Sequence, residues 1–159
     1  MKLFAEKQQR NLVNHLNIRG LMARQAYRYI KLGVVGSRDF KHLDLVRLTI
    51  QQFGPCVIIS GGAIGVDSTA ADEAKKLGYP APIIFLPEWK KYGRAAGMIR
   101  NKLIVEASDG LVIFWDGHSK GTANTLATTK KAKKQIILVT EEGEEVKSVS
   151  IGWNKCLKF

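Results

Sequence analysis

The chain of 159 residues, 45% of them hydrophobic, has the size and composition of one globular domain with a single core. Its longest apolar runs, such as residues 110–115, are far shorter than the roughly 20 residues that span a bilayer, and the amino end lacks a signal peptide's continuous apolar segment. The formal net charge is +11. These features exclude a membrane-spanning helix and lead us to expect a cytoplasmic protein with no membrane partner.

From residue 31 onward, short apolar runs alternate with longer amphipathic stretches, which is the pattern of β-α units around a mostly parallel sheet. Strands are predicted near residues 31–36, 56–60, 82–86, 109–115 and 135–140. Helices are predicted between them, over residues 43–50, 70–77, 98–106 and 122–134. The expected fold class is α/β: a Rossmann-like open sheet of about five strands with helices on both faces. Right-handed crossovers bring the strand-to-helix turns to one edge, where open α/β folds bind their ligands.

Two flanks lie outside the α/β region predicted for residues 31–140. Residues 1–30 predict a basic helical extension that packs on the sheet or on a second copy of the chain, and residues 141–159 predict a docking tail of the same domain. The net charge is +6 in residues 1–33, +2 in residues 34–126 and +3 in residues 127–159. Such basic flanks indicate either a solvated surface or a surface that attracts a polyanion. Nucleic acid is therefore one of the two alternatives that the charge leaves open.

Metal and redox chemistry have little support in the sequence. The cysteines and histidines are scattered, with no ligand spacing among Cys56, Cys156, His15, His42 and His118. We therefore expect no metal site and no structural disulfide, and no cofactor beyond a nucleotide-type ligand.

Glycine-bearing turns follow three of the predicted strands. The turn after the first strand has Gly36, Ser37 and Arg38. The second turn consists of Ser60, Gly61, Gly62, Ala63, Gly65 and Asp67, of which Asp67 is predicted to cap the next helix or to bond a ribose hydroxyl. The third turn contains Gly117, Ser119, Lys120, Gly121 and Thr122. Because helix starts offer unpaired N–H groups to anions, these turns predict a phosphate site; the alternative is that their glycines serve the backbone alone.

Other side chains are predicted to complete that site. Arg100 and Asn101 lie on a predicted helix close to the third turn, and the Arg100 guanidinium suits bidentate phosphate binding. The aromatic residues nearby are candidates for base stacking, with core or rim packing as the alternative: Trp89, Tyr92 and Trp115.

These motifs, in this order, resemble the YspA/YpsA-related branch of the SLOG superfamily. The resemblance covers about residues 31–140 and rests on Gly-Ser-Arg-Asp-Phe at 36–40, Ser-Gly-Gly-Ala at 60–63, Arg-Asn at 100–101 and Ser-Lys-Gly-Thr at 119–122. It implies a Rossmann-like fold that binds a nucleotide or nucleotide derivative at its glycine turns, which is our main expectation.

The superfamily also contains two other activities. DprA/Smf proteins share the Ser-Gly-Gly-Ala turn and the Arg-Asn pair, which makes binding of single-stranded DNA the first alternative. LOG-type phosphoribohydrolases resemble this chain in the arginine at Arg100, but their catalytic glutamate corresponds to Thr125 here. Hydrolysis of a nucleoside monophosphate is therefore the second alternative, with the catalytic residues unknown and Asp116 as a speculative substitute.

Overall fold

The computed structural model of the protein describes residues 29–142 and 145–151. They form a sheet whose strands are β1 (Lys31–Gly36), β2 (Val57–Ser60), β3 (Ile83–Ile84), β4 (Gly110–Trp115), β5 (Gln135–Glu142) and β6 (Glu145–Ile151). The helices are α1 (Leu43–Phe53), α2 (Val66–Lys76), α3 (Trp89–Tyr92), α4 (Ala96–Ala107) and α5 (Lys120–Lys131), and a 3-10 turn (Gly93–Ala95) joins α3 to α4. The predicted α/β class is confirmed.

The strands lie in the order β3-β2-β1-β4-β5-β6. Those from β3 to β5 are parallel, and β6 pairs with β5 in the antiparallel direction. The chain runs outward from β1 to β2 and β3, then crosses back to β4 on the other side of β1. The connections that leave β1 and β4 therefore diverge, which opens a crevice at the carboxyl ends of these two strands.

Helices cover both faces of the sheet. Leu32 and Val34 of β1 pack in one buried cluster with α1 and α2, while Val35 packs in a second cluster with α4 and α5. Alternate residues of β1 thus point to opposite faces, and both faces are apolar because both are covered. This is why the strands appear in the sequence as continuous hydrophobic runs.

The structure differs from the predicted elements mainly at the ends. Residues 145–151 of the predicted docking tail form β6, so the sheet continues beyond the boundary predicted at residue 140. Helices α4 and α5 each begin two residues before the predicted start, because their amphipathic pattern weakens in the first turn. Within the described residues, no helix is long and apolar enough to cross a membrane. The predicted amino-terminal helices and the end of the tail lie largely outside the described residues, in 1–28 and 152–159.

Candidate phosphate-binding site

A cavity of about 490 Å³ lies at the carboxyl ends of β1 and β4. Its lining comes from the three glycine-bearing turns and from α4 and α5: Val35, Gly36, Arg38, Asp39, Ala63, Asp67, Arg100, Asn101, Ile104, Asp116, His118, Ser119, Gly121, Thr122 and Thr125. The cavity lies at the edge of the sheet where the sequence predicts a ligand. The volume of the cavity is in the ordinary range for small-molecule sites.

The turn after β1 is held against the turn after β4. Gly36 has no room for a side chain, because a Cβ there would lie 2.8 Å from the Phe114 carbonyl oxygen. The buried Ser37 hydroxyl accepts a hydrogen bond from the Asp116 N–H at 3.2 Å and lies 3.3 Å from the Thr122 hydroxyl. Ser37 therefore joins the two turns, and Arg38 and Asp39 are the charged residues of the first turn that line the cavity.

The carboxylate of Asp67 organises the turn after β2. It accepts hydrogen bonds from the Gly61 N–H at 2.9 Å and the Ala63 N–H at 3.4 Å. The Gly62 N–H donates to the Ser60 hydroxyl, and the Gly65 N–H donates to the Ser68 hydroxyl. These N–H groups thus have acceptors within the protein, and Asp67 binds the backbone of its own turn.

Arg100 of α4 lies against this turn. Its Nη1 donates to the Gly61 carbonyl oxygen at 2.9 Å, and its Nε donates to the Asn101 Oδ1 at 3.0 Å. A Cβ on Gly61 would overlap the Arg100 guanidinium, with Cζ only 2.6 Å away. The missing side chain of Gly61 therefore provides the space in which the guanidinium lies. In the described part of the chain, no hydrogen-bond acceptor engages Nη2, and Nη1 uses one of its two hydrogens.

Asn101 connects Arg100 to the third turn. While its Oδ1 accepts from Arg100, its Nδ2 donates to the Gly121 carbonyl oxygen at 3.4 Å. The Thr125 hydroxyl donates to the same carbonyl at 3.1 Å. The guanidinium and the start of α5 are thus fixed to each other by a side chain that is 8% exposed.

The third turn presents the amino end of α5 to the cavity. Ser119 caps the helix by accepting from the Thr122 N–H at 3.3 Å, and Asp116 Oδ1 accepts from the N–H groups of His118 and Ser119. Among the described residues, no acceptor lies within hydrogen-bond distance of the N–H groups of Lys120 and Gly121. Gly121 lines the cavity together with Arg100, and Lys120 precedes it at the start of the helix. Unpaired donors at a helix start near an arginine are an arrangement that suits an anion.

Charges of both signs surround the cavity. Burial raises the pKa of the Asp67 carboxyl, although the N–H groups of Gly61 and Ala63 and the charge of Arg100 act against this rise. Burial also lowers the pKa of Arg100, with Asp67 opposing this change and the charge of Arg38 adding to it. An arginine starts from so high a pKa that the guanidinium stays charged at neutral pH.

The pKa of Asp116 is lowered, in contrast to that of Asp67. Partial burial would raise it, but hydrogen bonds from the N–H groups of Ser119 and His118 and from the Ser37 hydroxyl outweigh burial and lower the pKa. Asp116 therefore remains a carboxylate at neutral pH. Its hydrogen bonds hold the third turn in place.

Several predicted site residues lie outside the cavity wall. They are Ser37 of the first turn, Ser60, Gly61, Gly62 and Gly65 of the second, and Gly117 and Lys120 of the third. The three aromatic candidates do not line the cavity either. The Trp115 indole N–H donates to the Ser119 carbonyl at 3.1 Å, Trp89 lies against the Gly97 position, and the Tyr92 ring lies under the Lys91 ammonium.

Other lining residues were not among the predicted ligands. Asp39, Asp116 and His118 belong to the predicted turns, and their positions directly after β1 and β4 are the signal that identifies them. Val35, Ile104 and Thr125 of β1, α4 and α5 complete the lining. In the part of the chain that the structure describes, no group of three or more His, Cys, Asp or Glu residues is arranged to hold a metal ion.

Comparison with solved structures finds the same fold in DNA processing protein A (DprA). DprA from Streptococcus pneumoniae aligns with a TM-score of 0.59 and 21% identity over 70% of this chain and 50% of that one. DprA from Helicobacter pylori, whose structure was described for its single-stranded DNA binding mode, aligns with a TM-score of 0.51 and 19% identity, over 73% of this chain and 67% of that one.

The TM-scores show a shared fold, and the match spans half the length of the pneumococcal protein. No protein-family model and no curated protein matches the sequence. The Rossmann-like fold implied by the SLOG resemblance is thereby confirmed. The YspA-related branch stays a prediction.

Proposed function

We propose that the protein binds single-stranded nucleic acid, and that one backbone phosphate lies between Arg100 and the amino end of α5. The observation that carries this proposal is the fixed position of Arg100. Its guanidinium is held by Gly61 and Asn101, and Asn101 also bonds the turn that presents the free N–H groups of Lys120 and Gly121. A cation and a helix start fixed beside one another suit a phosphate group.

Two further observations favour a strand over a free nucleotide. The fold is that of DprA, of which the Helicobacter protein binds single-stranded DNA. Exposed cations also continue along the same edge of the sheet outside the cavity, at Lys90, Lys91 and Arg94. A free mononucleotide would leave these side chains without a phosphate, whereas a strand brings one phosphate for each nucleotide.

A free nucleotide or nucleotide derivative, the main expectation from the sequence, is our second candidate. The cavity volume of about 490 Å³ favours it, because this is enough for one small molecule. The carboxylates of Asp39 and Asp116 suit hydroxyl groups such as those of a ribose and would repel a second phosphate.

Hydrolysis of a nucleoside monophosphate has less support. The Thr125 hydroxyl, at the position of the LOG-type glutamate, donates to the Gly121 carbonyl and carries no charge. Oδ1 of Asp116 accepts two backbone N–H groups, so this carboxylate serves the turn. We therefore do not extend the proposal to catalysis.

Titration of wild-type protein and Arg100→Ala with a short oligothymidylate and with thymidine monophosphate tests the proposal. We expect the oligonucleotide to bind more tightly, and Arg100→Ala to weaken it by about ten- to a hundredfold, because a charge-assisted hydrogen bond contributes about 1.5–3 kcal/mol. Lys102→Ala is the matched control, since Lys102 is exposed on the same helix and pairs with Glu106.

The outcomes separate the two candidates. Tighter binding of the monophosphate than of the oligonucleotide would favour the free nucleotide. Unchanged affinity in a folded Arg100→Ala protein would exclude Arg100 from the site and overturn the proposal.

A further inference from the structure

Exposed aliphatic side chains lie next to the candidate phosphate site. Ile64, at the tip of the second turn, is 87% exposed, and Leu86, just after β3, is 70% exposed. Ile84 of β3 is 45% exposed. Ile84 and Leu86 both approach the exposed Gly62, since a Cβ there would lie 2.8 Å from Ile84 Cγ2 and 3.4 Å from Leu86 Cδ2. We call Ile64, Ile84 and Leu86 the apolar shelf.

We propose that the apolar shelf binds nucleobases of the strand whose phosphate lies at Arg100. This inference rests on the proposed function and names a second part of the site. Proteins that bind single strands without sequence preference stack the bases on aromatic side chains beside a cationic path. Exposed aliphatic side chains offer the faces of the bases a comparable burial of apolar area. The three residues are bulky and exposed, as such a surface requires.

The shelf is continuous with the phosphate site. The Gly61 carbonyl holds Arg100, and the next residue, Gly62, lies beneath Ile84 and Leu86. Consecutive Cα atoms are about 3.8 Å apart. Gly62, which Ile84 and Leu86 approach, is therefore the immediate neighbour of the residue that holds the guanidinium. Ala63, which follows Gly62, lines the cavity itself.

Cations follow the shelf in the sequence. After Leu86 the chain turns into α3, where Lys90 and Lys91 are exposed, and then reaches the exposed Arg94. Along the chain, the apolar surface is therefore followed by a second group of positive charges. A single strand, with bases flanked by phosphates, has the complementary pattern of apolar and negative groups.

The shelf residues, like the predicted stacking residues Trp89, Tyr92 and Trp115, lie outside the cavity lining. Ile64 and Leu86 are more exposed than Trp89, at 56%, and Tyr92, at 37%, so they present the more accessible apolar surface beside the second turn. Contact with aliphatic side chains buries apolar area without reading a base edge. We therefore expect the shelf to increase affinity for a strand with little preference among the bases.

The experiment compares three ligands: a 5′-phosphorylated oligothymidylate of about four nucleotides, an abasic oligomer with the same number of phosphates, and thymidine monophosphate. Wild-type protein should bind the oligothymidylate about five- to tenfold more tightly than the abasic oligomer. The double variant Ile64→Ser/Leu86→Ser should lose most of this difference and keep its affinity for the abasic oligomer. Val149→Ser, at an exposed aliphatic residue of β6 on the opposite side of the sheet, is the control and should behave as wild type.

Each outcome bears on one proposal or on both. Equal affinity of the wild type for the two oligomers, or a double variant that keeps the full difference, would overturn the shelf while leaving the phosphate site intact. In that case the exposed residues would be free for a protein partner. If none of the three ligands bound the folded wild type, the proposed function would fail and the shelf with it.

Discussion

Gly61 shows how one missing side chain determines where a charge lies. The Arg100 guanidinium occupies the space of a Cβ at residue 61 and donates to the carbonyl of the same residue. Gly61 is not among the glycines with positive φ, so its conformation alone does not require glycine. The requirement is space for Arg100.

Gly61→Ala should therefore displace the guanidinium and weaken phosphate binding. We expect roughly a tenfold loss of oligonucleotide affinity, since one charge-assisted contact becomes misaligned while the charge itself is kept. Gly97→Ala is the control: its Cβ would lie at an ordinary 3.5 Å from Trp89 Cη2, and alanine within α4 should leave stability equal or slightly higher. Calorimetric titration and thermal unfolding of both variants measure the effects, and normal affinity in Gly61→Ala would contradict this account of Arg100.

At the level of elements, the second turn depends on the buried carboxylate of Asp67, which accepts hydrogen bonds from the backbone of that turn. Asp67 is 5% exposed and has a raised pKa, chiefly because of burial. The folded protein thus holds this proton more tightly than the unfolded chain does. The resulting stability is fully present below the unfolded pKa, near 3.8, and is lost as the pH rises through the raised pKa of the folded state.

Asp67→Asn should remove this pH dependence. We expect the free energy of unfolding of the wild type, minus that of the variant, to fall as the pH rises above about 4. Urea unfolding at a series of pH values measures this difference. Asp72→Asn, at an exposed carboxylate of the same helix, corrects for the loss of one negative charge. A difference that stays constant or rises with pH would contradict the role of burial at Asp67.

The start of α5 depends on Ser119. Its hydroxyl accepts from the Thr122 N–H at 3.3 Å and from the Thr122 hydroxyl at 3.0 Å. Ser119→Ala should lower the free energy of unfolding by about 1 kcal/mol, and Ser119→Asp should restore most of it because aspartate also caps helices. Thr128→Ala, farther along the same helix, is the control. Equal stability of Ser119→Ala and wild type in chemical unfolding would show that the cap contributes nothing.

The elements were more predictable than their contacts. The strands from β1 to β5 follow from apolar runs, and β1 matches its predicted bounds, because a strand covered on both faces must be apolar throughout. The sequence also predicts that Arg100 reaches the pocket of the third turn; in the structure Arg100 and Gly121 line one cavity, while the guanidinium itself donates to Gly61 of the second turn. It does not reveal that Asp67 accepts the Gly61 N–H or that Asn101 bonds Gly121. These contacts depend on the relative positions of separate elements, which a local pattern does not specify.

At the scale of the whole molecule, the positive charge is spread over both ends of the sheet. Arg38, Arg100 and the cations of residues 90–94 lie at the carboxyl edge, whereas the last turns of α2 and α5 carry lysines at the other edge. Lysines at helix carboxyl ends interact favourably with the helix dipole, so part of the net charge of +11 has a structural explanation. The charges beside the cavity are the ones that the proposed strand would contact.

The salt dependence of binding tests that assignment. For single strands, the logarithm of the affinity falls by about 0.7 for each contacted phosphate per tenfold increase in salt. Between about 50 and 200 mM salt, one phosphate at Arg100 corresponds to a loss of about threefold, whereas four phosphates spread over Arg100 and residues 90–94 correspond to about fiftyfold. We expect a loss near the larger value for an oligothymidylate and near the smaller one for thymidine monophosphate.

Replacing Lys90 and Arg94 together by alanine localises this effect. If each side chain contacts one phosphate, the slope for the oligonucleotide should decrease in magnitude by about 1.4, while the slope for the monophosphate should not change. Lys130→Ala/Lys131→Ala removes the same charge at the opposite edge, in the last turn of α5, and should leave both slopes as in the wild type. Fluorescence anisotropy titrations at several salt concentrations measure both slopes for the wild type and for each of the two double variants. A larger decrease in the Lys130 and Lys131 variant would move the nucleic-acid path to the other edge of the sheet, because only side chains that displace counterions from the strand change the slope.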